Sequence, residues 1–304
     1  MLFFIGVSLS AGLFLIFRVF HKFQINTFQA IVSNYWTCVL TAMIYIADWQ
    51  AIQTISLESL WVRVPLFLGF LFIGTFYLMG FVAQNISVSA SSVAAKISLI
   101  IPVLFNLILF ENQSKFDLIN YLGLILVFVA IFFTSSKVEV TEAQAQKQKS
   151  WRNLLLITLI FLMSGAIDTS INWVSKVSAK DATSQAIFSM LVFAVAGVIG
   201  LLVLLQKVIF QKEKIKLKNI VAGMILGVVN YFSIIFMIKS LQIEFAGNGA
   251  FFFPIFNIGI ILLSTFFAVL FFKEKLNWRN KLGILISIFA IICIAYQAIR
   301  AHLQ

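Results

Sequence analysis

Two ionisable side chains stand where the sequence is otherwise apolar. Lys96 lies in the run SASSVAAKISLIIPV and Asp168 in LMSGAIDTSINWVSK. An ionised group at the centre of a membrane helix costs about 2.5–3.5 kcal/mol on insertion scales, so it needs water or a partner. Ser89, Ser92 and Lys96 are spaced to share one helix face, small and polar like the wall of a cavity. Lys96 there would offer a cationic contact to an anionic group of a substrate. The competing reading is a lysine that snorkels to the interface along its apolar stem. Ser164, Asp168 and Asn172 form a second polar stripe. A carboxylate at Asp168 could pair with Lys96, bind a proton or hold a substrate amine. Its structural alternative is a hydrogen bond to a neighbouring helix.

Other polar groups are weaker signals. Asn34, Thr37 and Thr41 line one face of an apolar stretch, and Asn230 and Ser233 do so beside Tyr231 in another. Tyr35, Trp36, Tyr77 and Trp173 could line a pocket, although aromatics at helical spacing more often pack. The candidate substrate-binding set is therefore Lys96, Asp168, Asn172, Trp173, Asn230 and Tyr231. The sequence carries no HExxH, CxxC, GxSxG or Gly-rich phosphate loop, so it predicts no catalytic residue, metal or cofactor. Cys38 and Cys293 both fall inside apolar stretches and read as packing residues.

The elements that must hold these groups are membrane helices. Hydrophobic residues make up 62% of the 304 residues and charged residues 11%. Soluble domains carry about 45–50% apolar and about 25% charged residues, so lipid must cover the excess. Apolar stretches run near 2–20, 28–48, 62–84, 88–110 and 118–136. A second set runs near 153–175, 183–206, 220–241, 246–272 and 281–299. A span needs about 20 apolar residues. Pro102 is expected to kink the fourth span just beyond Lys96. The GxxxG from Gly223 to Gly227 predicts a close helix contact. The start, MLFFIGVSLSAGLFLIF, has no basic segment before it and reads as a retained first span.

Two sets of five spans suggest duplication. Asn120, Leu122, Gly123, Ala130 and Ile131 match Asn280, Leu282, Gly283, Ala290 and Ile291 at one constant offset. Gln29-Ala30-Ile31 with Ser33 likewise matches Gln185-Ala186-Ile187 with Ser189. The expected organisation is a five-helix repeat over 1–136, a polar linker over 137–151 and a second repeat over 152–300. An odd number of spans per repeat forces opposite orientations, which gives an all-α membrane protein of ten helices in two inverted repeats.

The net charge of +11 sits mainly in short loops, which favours orientation signals and anionic lipid over nucleic acid. The loops after the first, fifth, seventh and ninth spans hold most of the Lys and Arg. The positive-inside rule then places both termini outside.

The chain resembles the drug/metabolite transporter superfamily, specifically its ten-helix EamA-like members. The resemblance rests on the five-plus-five plan, on Pro102 and Pro254 in the fourth and ninth spans, and on Phe272-Lys273-Glu274-Lys275-Leu276 leading to Leu282-Gly283. Phe110-Glu111 leading to Leu122-Gly123 is its counterpart in the first half. What this resemblance implies is a multi-pass carrier of a small metabolite, amino acid or drug-like compound. The membrane would be the cytoplasmic one in a bacterium. The expected site is a central cavity between the repeats, lined by the third, fourth, sixth, eighth and ninth spans. Expected partners are a small-molecule substrate and membrane lipids, with the chain a monomer or homodimer and not an enzyme. A lipid-linked carrier or flippase of the same fold is the alternative, followed by a non-transporting membrane scaffold.

Overall fold

The computed structural model describes residues 1–46, 60–109, 117–134, 143–177, 182–245, 249–296 and 300. These residues form helices and no strands. In chain order they are α1 (Leu2–Lys22), α2 (Thr27–Ile46), α3 (Leu60–Asn85), α4 (Val88–Ile97), α5 (Ile100–Leu109) and α6 (Leu118–Thr134). Then come α7 (Ala143–Val177), α8 (Ala182–Gln211), α9 (Leu217–Lys239), α10 (Gly249–Phe272) and α11 (Trp278–Ile294). A π-helical turn, Ser240–Glu244, extends α9. Six stretches among the described residues are long and apolar enough to cross a bilayer: Leu2–Lys22, Arg63–Asn85, Trp151–Ile171, Ala186–Gln211, Leu217–Glu244 and Phe252–Phe272. The chain thus has the character of an integral, multi-pass membrane protein. Large apolar side chains stay exposed along these stretches and along the shorter α6, among them Phe70, Leu202 and Phe266 and, on α6, Ile125, as a lipid-facing surface requires.

The expected fourth span is two short helices. Ile97 ends α4 and Ile100 begins α5, with Ser98 and Leu99 between. Pro102 explains where the break falls. Its ring removes the amide that would bond the carbonyl of Ser98, one turn earlier, and clashes with that carbonyl. The Ser98 carbonyl instead accepts from the Ile101 amide at 2.9 Å in a tighter turn. The kink therefore lies before the proline, at the end of the segment carrying Lys96. Helix α7 begins at Ala143, inside the stretch expected as a linker, where the run of Ala, Gln and Lys favours a helix. The Glu111 motif falls outside the described residues.

Helices α6 and α11 pack along one another, and α2 packs against both α8 and α9. Further contacts join α1 to α9 and α10, α3 to α7 and α8, α4 to α7 and α10, and α5 to α7. Asn120, in the first turn of α6, donates to the carbonyls of Cys293 and Ile294 at 3.1 and 3.0 Å, at the end of α11. The two helices are therefore antiparallel. Their starts are built alike. The Asp117 amide donates to Asn120 Oδ1 at 3.0 Å, and the Asn277 amide donates to Asn280 Oδ1 at 3.4 Å. The matched asparagines of the sequence are helix-start caps.

The GxxxG of α9 does make a close contact, against α2. A Cβ on Gly223 would lie 2.2 Å from the carbonyl oxygen of Ala30, and one on Gly227 would lie 2.6 Å from that of Asn34. Backbone cannot swing aside as a side chain can. Gly223→Ala is expected to cost about 1–3 kcal/mol by overpacking. It should lower the melting temperature of the solubilised protein. Gly12→Ala, whose Cβ would meet only Val229 Cγ1 at 4.0 Å, should not.

Candidate functional site

The break between α4 and α5 positions the first charged group. Ser87 caps the start of α4, its hydroxyl accepting from the Ala90 amide at 3.0 Å. Small residues then let α4 pack tightly. Ser89 and Ser92 are buried, and Ser92 accepts a hydrogen bond from Ser264 of α10 at 2.8 Å. The polar face expected to line a cavity is therefore partly closed by α10. Lys96, in the last turn of α4, is half-buried. Cations are stabilised at a helix C-terminus, where the carbonyl ends of the peptide dipoles gather.

Asp168 comes from α7, which packs on both α4 and α5. Gly165 allows this approach, because a Cβ there would overlap the side chain of Ile101 at 2.1 Å. Asp168 lies close enough to Lys96 for the two charges to attract, without a contact ion pair between them. The hydroxyl of Ser98, which donates to the Ala95 carbonyl at 2.7 Å, also lies 3.5 Å from Asp168 Oδ2. Asp168 is exposed. An acid, a base and a hydroxyl thus meet at a helix break that is not packed shut.

The structure brings Lys96 and Asp168 together and leaves Asn230 and Tyr231 on a different interface. Asn230 points from α9 onto α2, donating to Asn34 Oδ1 at 3.2 Å and meeting Cys38 Sγ at 3.6 Å. Tyr231 is buried beside Tyr45, with ring centroids 5.9 Å apart. Trp173 is half-buried against the hydrophobic core. Asn172 is helical in α7, and its side chain falls outside the described residues. Asn34 Nδ2 and the hydroxyls of Tyr35 and Tyr231 are buried without a hydrogen-bond partner among the described residues. Asn34 and Tyr231 thus leave unused polar capacity at the α2–α9 interface, while the Tyr35 ring packs on Phe76 and Phe193.

Sequence reasoning missed Ser98. Its only signal is its place four residues before Pro102, where the proline frees its carbonyl. It also missed a repeated end device. Lys212 and Lys273 adopt left-handed φ of 53° and 49° just after α8 and α10. Each turns the following glutamate toward the start of another helix. Glu213 accepts from Asn26 Nδ2 at 2.8 Å and Gln29 Nε2 at 2.7 Å at the start of α2. Glu274 accepts from the Ser87 hydroxyl and from the Val88 amide, the latter at 3.1 Å, at the start of α4. The shared signal is Lys-Glu-Lys, at 212–214 and 273–275. A carboxylate at a helix N-terminus is favoured by the dipole, so these contacts tie down the basic end of the molecule. Among the described residues no three His, Cys, Asp or Glu side chains gather as a metal site would need.

No family model matches the chain. It is similar to an uncharacterized protein of Haemophilus influenzae (strain ATCC 51907 / DSM 11121 / KW20 / Rd), 29% identical over 298 residues, covering 96% of each chain. A solved structure, described as a crystal structure of a protein, matches 98% of this chain and 97% of its own with a TM-score of 0.58 at 11% identity. That likeness carries the overall fold.

Proposed function

We propose that the chain is a secondary carrier of the EamA-like kind, with ten spans in two inverted five-helix repeats. The pattern of helix contacts supports the repeat. Exchange of the halves turns α1 into α7, α2 into α8, α3 into α9, α4 with α5 into α10, and α6 into α11. Under that exchange α1–α9 becomes α7–α3, α2–α9 becomes α8–α3, and α1–α10 becomes α7 with α4 and α5, all of which pack together. The α2–α8, α4–α10 and α6–α11 pairs map onto themselves. The antiparallel α6–α11 pair fits an axis in the membrane plane, the arrangement that alternating-access carriers share.

The observation that carries the function is the accessible pair of Lys96 and Asp168 at the α4–α5 break. Together the two charges sum to zero. An anionic substrate that takes Lys96 leaves Asp168 uncompensated, which a low-dielectric interior penalises heavily. Binding a proton at Asp168 removes that cost. Proton and anionic group are thus loaded together, and the site stays neutral both empty and full. The carrier is an electroneutral symporter, or an exchanger when substrate is present on both sides. The experiment is a screen of proteoliposomes containing a pH-sensitive dye against amino acids, sugars, nucleotides and cationic drugs. A carboxylate-bearing compound should move protons, and the rate should not change when membrane potential is clamped. Proton movement only with cationic compounds would refute the scheme.

Orientation gives a separate prediction. The basic end joined by Arg18, Lys207, Glu213 and Glu274 should face the cytoplasm under the positive-inside rule. A C-terminal alkaline phosphatase fusion should be active and a C-terminal fluorescent protein fusion dark. The reverse pattern would refute this placement.

A further inference from the structure

A second polar recess lies at the basic end, away from the charge pair. It is a half-open cleft of about 280 Å³ where the last turns of α3 and α8 meet the start of α2. Thr27, Phe28, Tyr77, Phe81, Gln84 and Lys207 line it, with Asn26 at its edge. Lys207 Nζ sits 4.4 Å over the ring of Phe28, and no carboxylate pairs with it among the described residues. Phe28 is braced edge-to-face by Tyr77. The cation is therefore held over the Phe28 ring rather than neutralised.

The remaining groups also favour an anion. Gln84 Nε2 donates to Thr27 Oγ1 at 2.6 Å, which leaves the Thr27 hydroxyl hydrogen free to donate. The start of α2, a 20-residue helix, presents the positive end of its dipole here. The ends of α3 and α8 would oppose an anion through their carbonyls. On α3, Arg18 bonds the carbonyls of Ala83 and Gln84 and offsets this. Arg152 adds a second cation, stacked 5.8 Å from the ring of Phe81. Glu213, which reaches the edge of the cleft at Asn26, is engaged by Asn26 and Gln29.

What lies beside the cleft decides between a free anion and a lipid. Along α3, the cleft-lining Tyr77 is 42% exposed and Phe70, two turns earlier on the same face, is 65% exposed. These residues lead from the cleft toward the centre of the apolar zone on the outer surface. A soluble phosphate would leave this strip unused, whereas an acyl chain would cover it. We propose that the cleft binds the phosphate headgroup of an anionic phospholipid. Lys207 contacts the phosphate, Thr27 donates to it, and one acyl chain runs along the exposed face of α3 over Tyr77 and Phe70. The site is independent of transport and would serve to hold α2, α3 and α8 together.

Native mass spectrometry of the purified protein tests this, with phosphatidylglycerol, phosphatidylcholine or inorganic phosphate added. A basic residue near anionic lipid contributes about 1 kcal/mol, a factor of about fivefold in retention. The wild type should retain phosphatidylglycerol in preference to phosphatidylcholine. Lys207→Gln should lower phosphatidylglycerol retention about fivefold, and Lys207→Arg should keep it. If Lys207→Gln is unfolded by circular dichroism, Lys207→Met takes its place, since it keeps the stem against Phe28. Equal retention of the two lipids by the wild type, or unchanged retention in the neutral variant, would overturn the proposal. Displacement of phosphatidylglycerol by millimolar inorganic phosphate would overturn it too, by assigning the cleft to a free anion.

Discussion

Asp168→Asn is expected to abolish gradient-driven uptake in proteoliposomes while leaving exchange of internal for external substrate intact. The asparagine nearly matches the carboxylate in shape and can keep the approach to Ser98 seen at 3.5 Å. It cannot take up or release a proton. The site then resembles its proton-loaded state permanently, with Lys96 free to hold an anionic group. A loaded carrier still turns over, so exchange persists, but the empty carrier strands an unpaired Lys96 and cannot return. Net uptake should fall to the level of empty liposomes. Wild-type net uptake by this variant would remove Asp168 from the coupling step.

Lys96→Ala should produce the second largest effect, on binding. A hydrogen bond to a charged group contributes about 1.5–3 kcal/mol, so substrate affinity should fall about 10- to 100-fold. Lys96→Arg should retain part of it, because the charge remains while the compact ammonium is replaced by a wider planar fork. Isothermal titration with a substrate found by the proton-flux screen reads both variants. Equal affinity of Lys96→Ala and wild type would assign Lys96 to the snorkelling role instead.

Much of this arrangement is legible in the sequence, for identifiable physical reasons. Lys96 and Asp168 stand out because lipid cannot solvate a charge, so any charge in an apolar run signals an internal partner. Asn120 and Asn280 stand out because they match at one constant offset, and each side chain accepts from the backbone amide that precedes its helix. The Gly223–Gly227 contact is legible because only a missing side chain permits a carbonyl oxygen 2.2 Å from an added Cβ. Other features resist a single-chain reading. Helical spacing shows that Asn230 and Tyr231 lie beside polar neighbours on α9, but not which helix they meet. That helix is α2, with Asn34 and Cys38, and not the α4–α7 pair. Pro102 announces a distortion, yet its effect falls one turn earlier, at a serine that looks like any other hydroxyl in an apolar helix. The role of Glu213 and Glu274 depends on left-handed lysines before them, a conformation that residue type does not announce.

The central claim is that water reaches the Lys96–Asp168 site from each side of the membrane in turn. Cysteine labelling tests it without knowledge of the substrate. Cys38 and Cys293 are both buried and can be replaced by Ala to give a silent background. Ile171→Cys, three residues along α7 from Asp168 and 37% exposed, leaves both charges in place and is then treated with a membrane-impermeant, charged methanethiosulfonate in right-side-out and in inverted vesicles. Only an ionised thiol in water reacts, so lipid-facing Ile125→Cys, at a position 62% exposed, serves as the unreactive control. An alternating-access carrier predicts labelling of Ile171→Cys from both sides. Labelling from one side alone, or from neither, would contradict it.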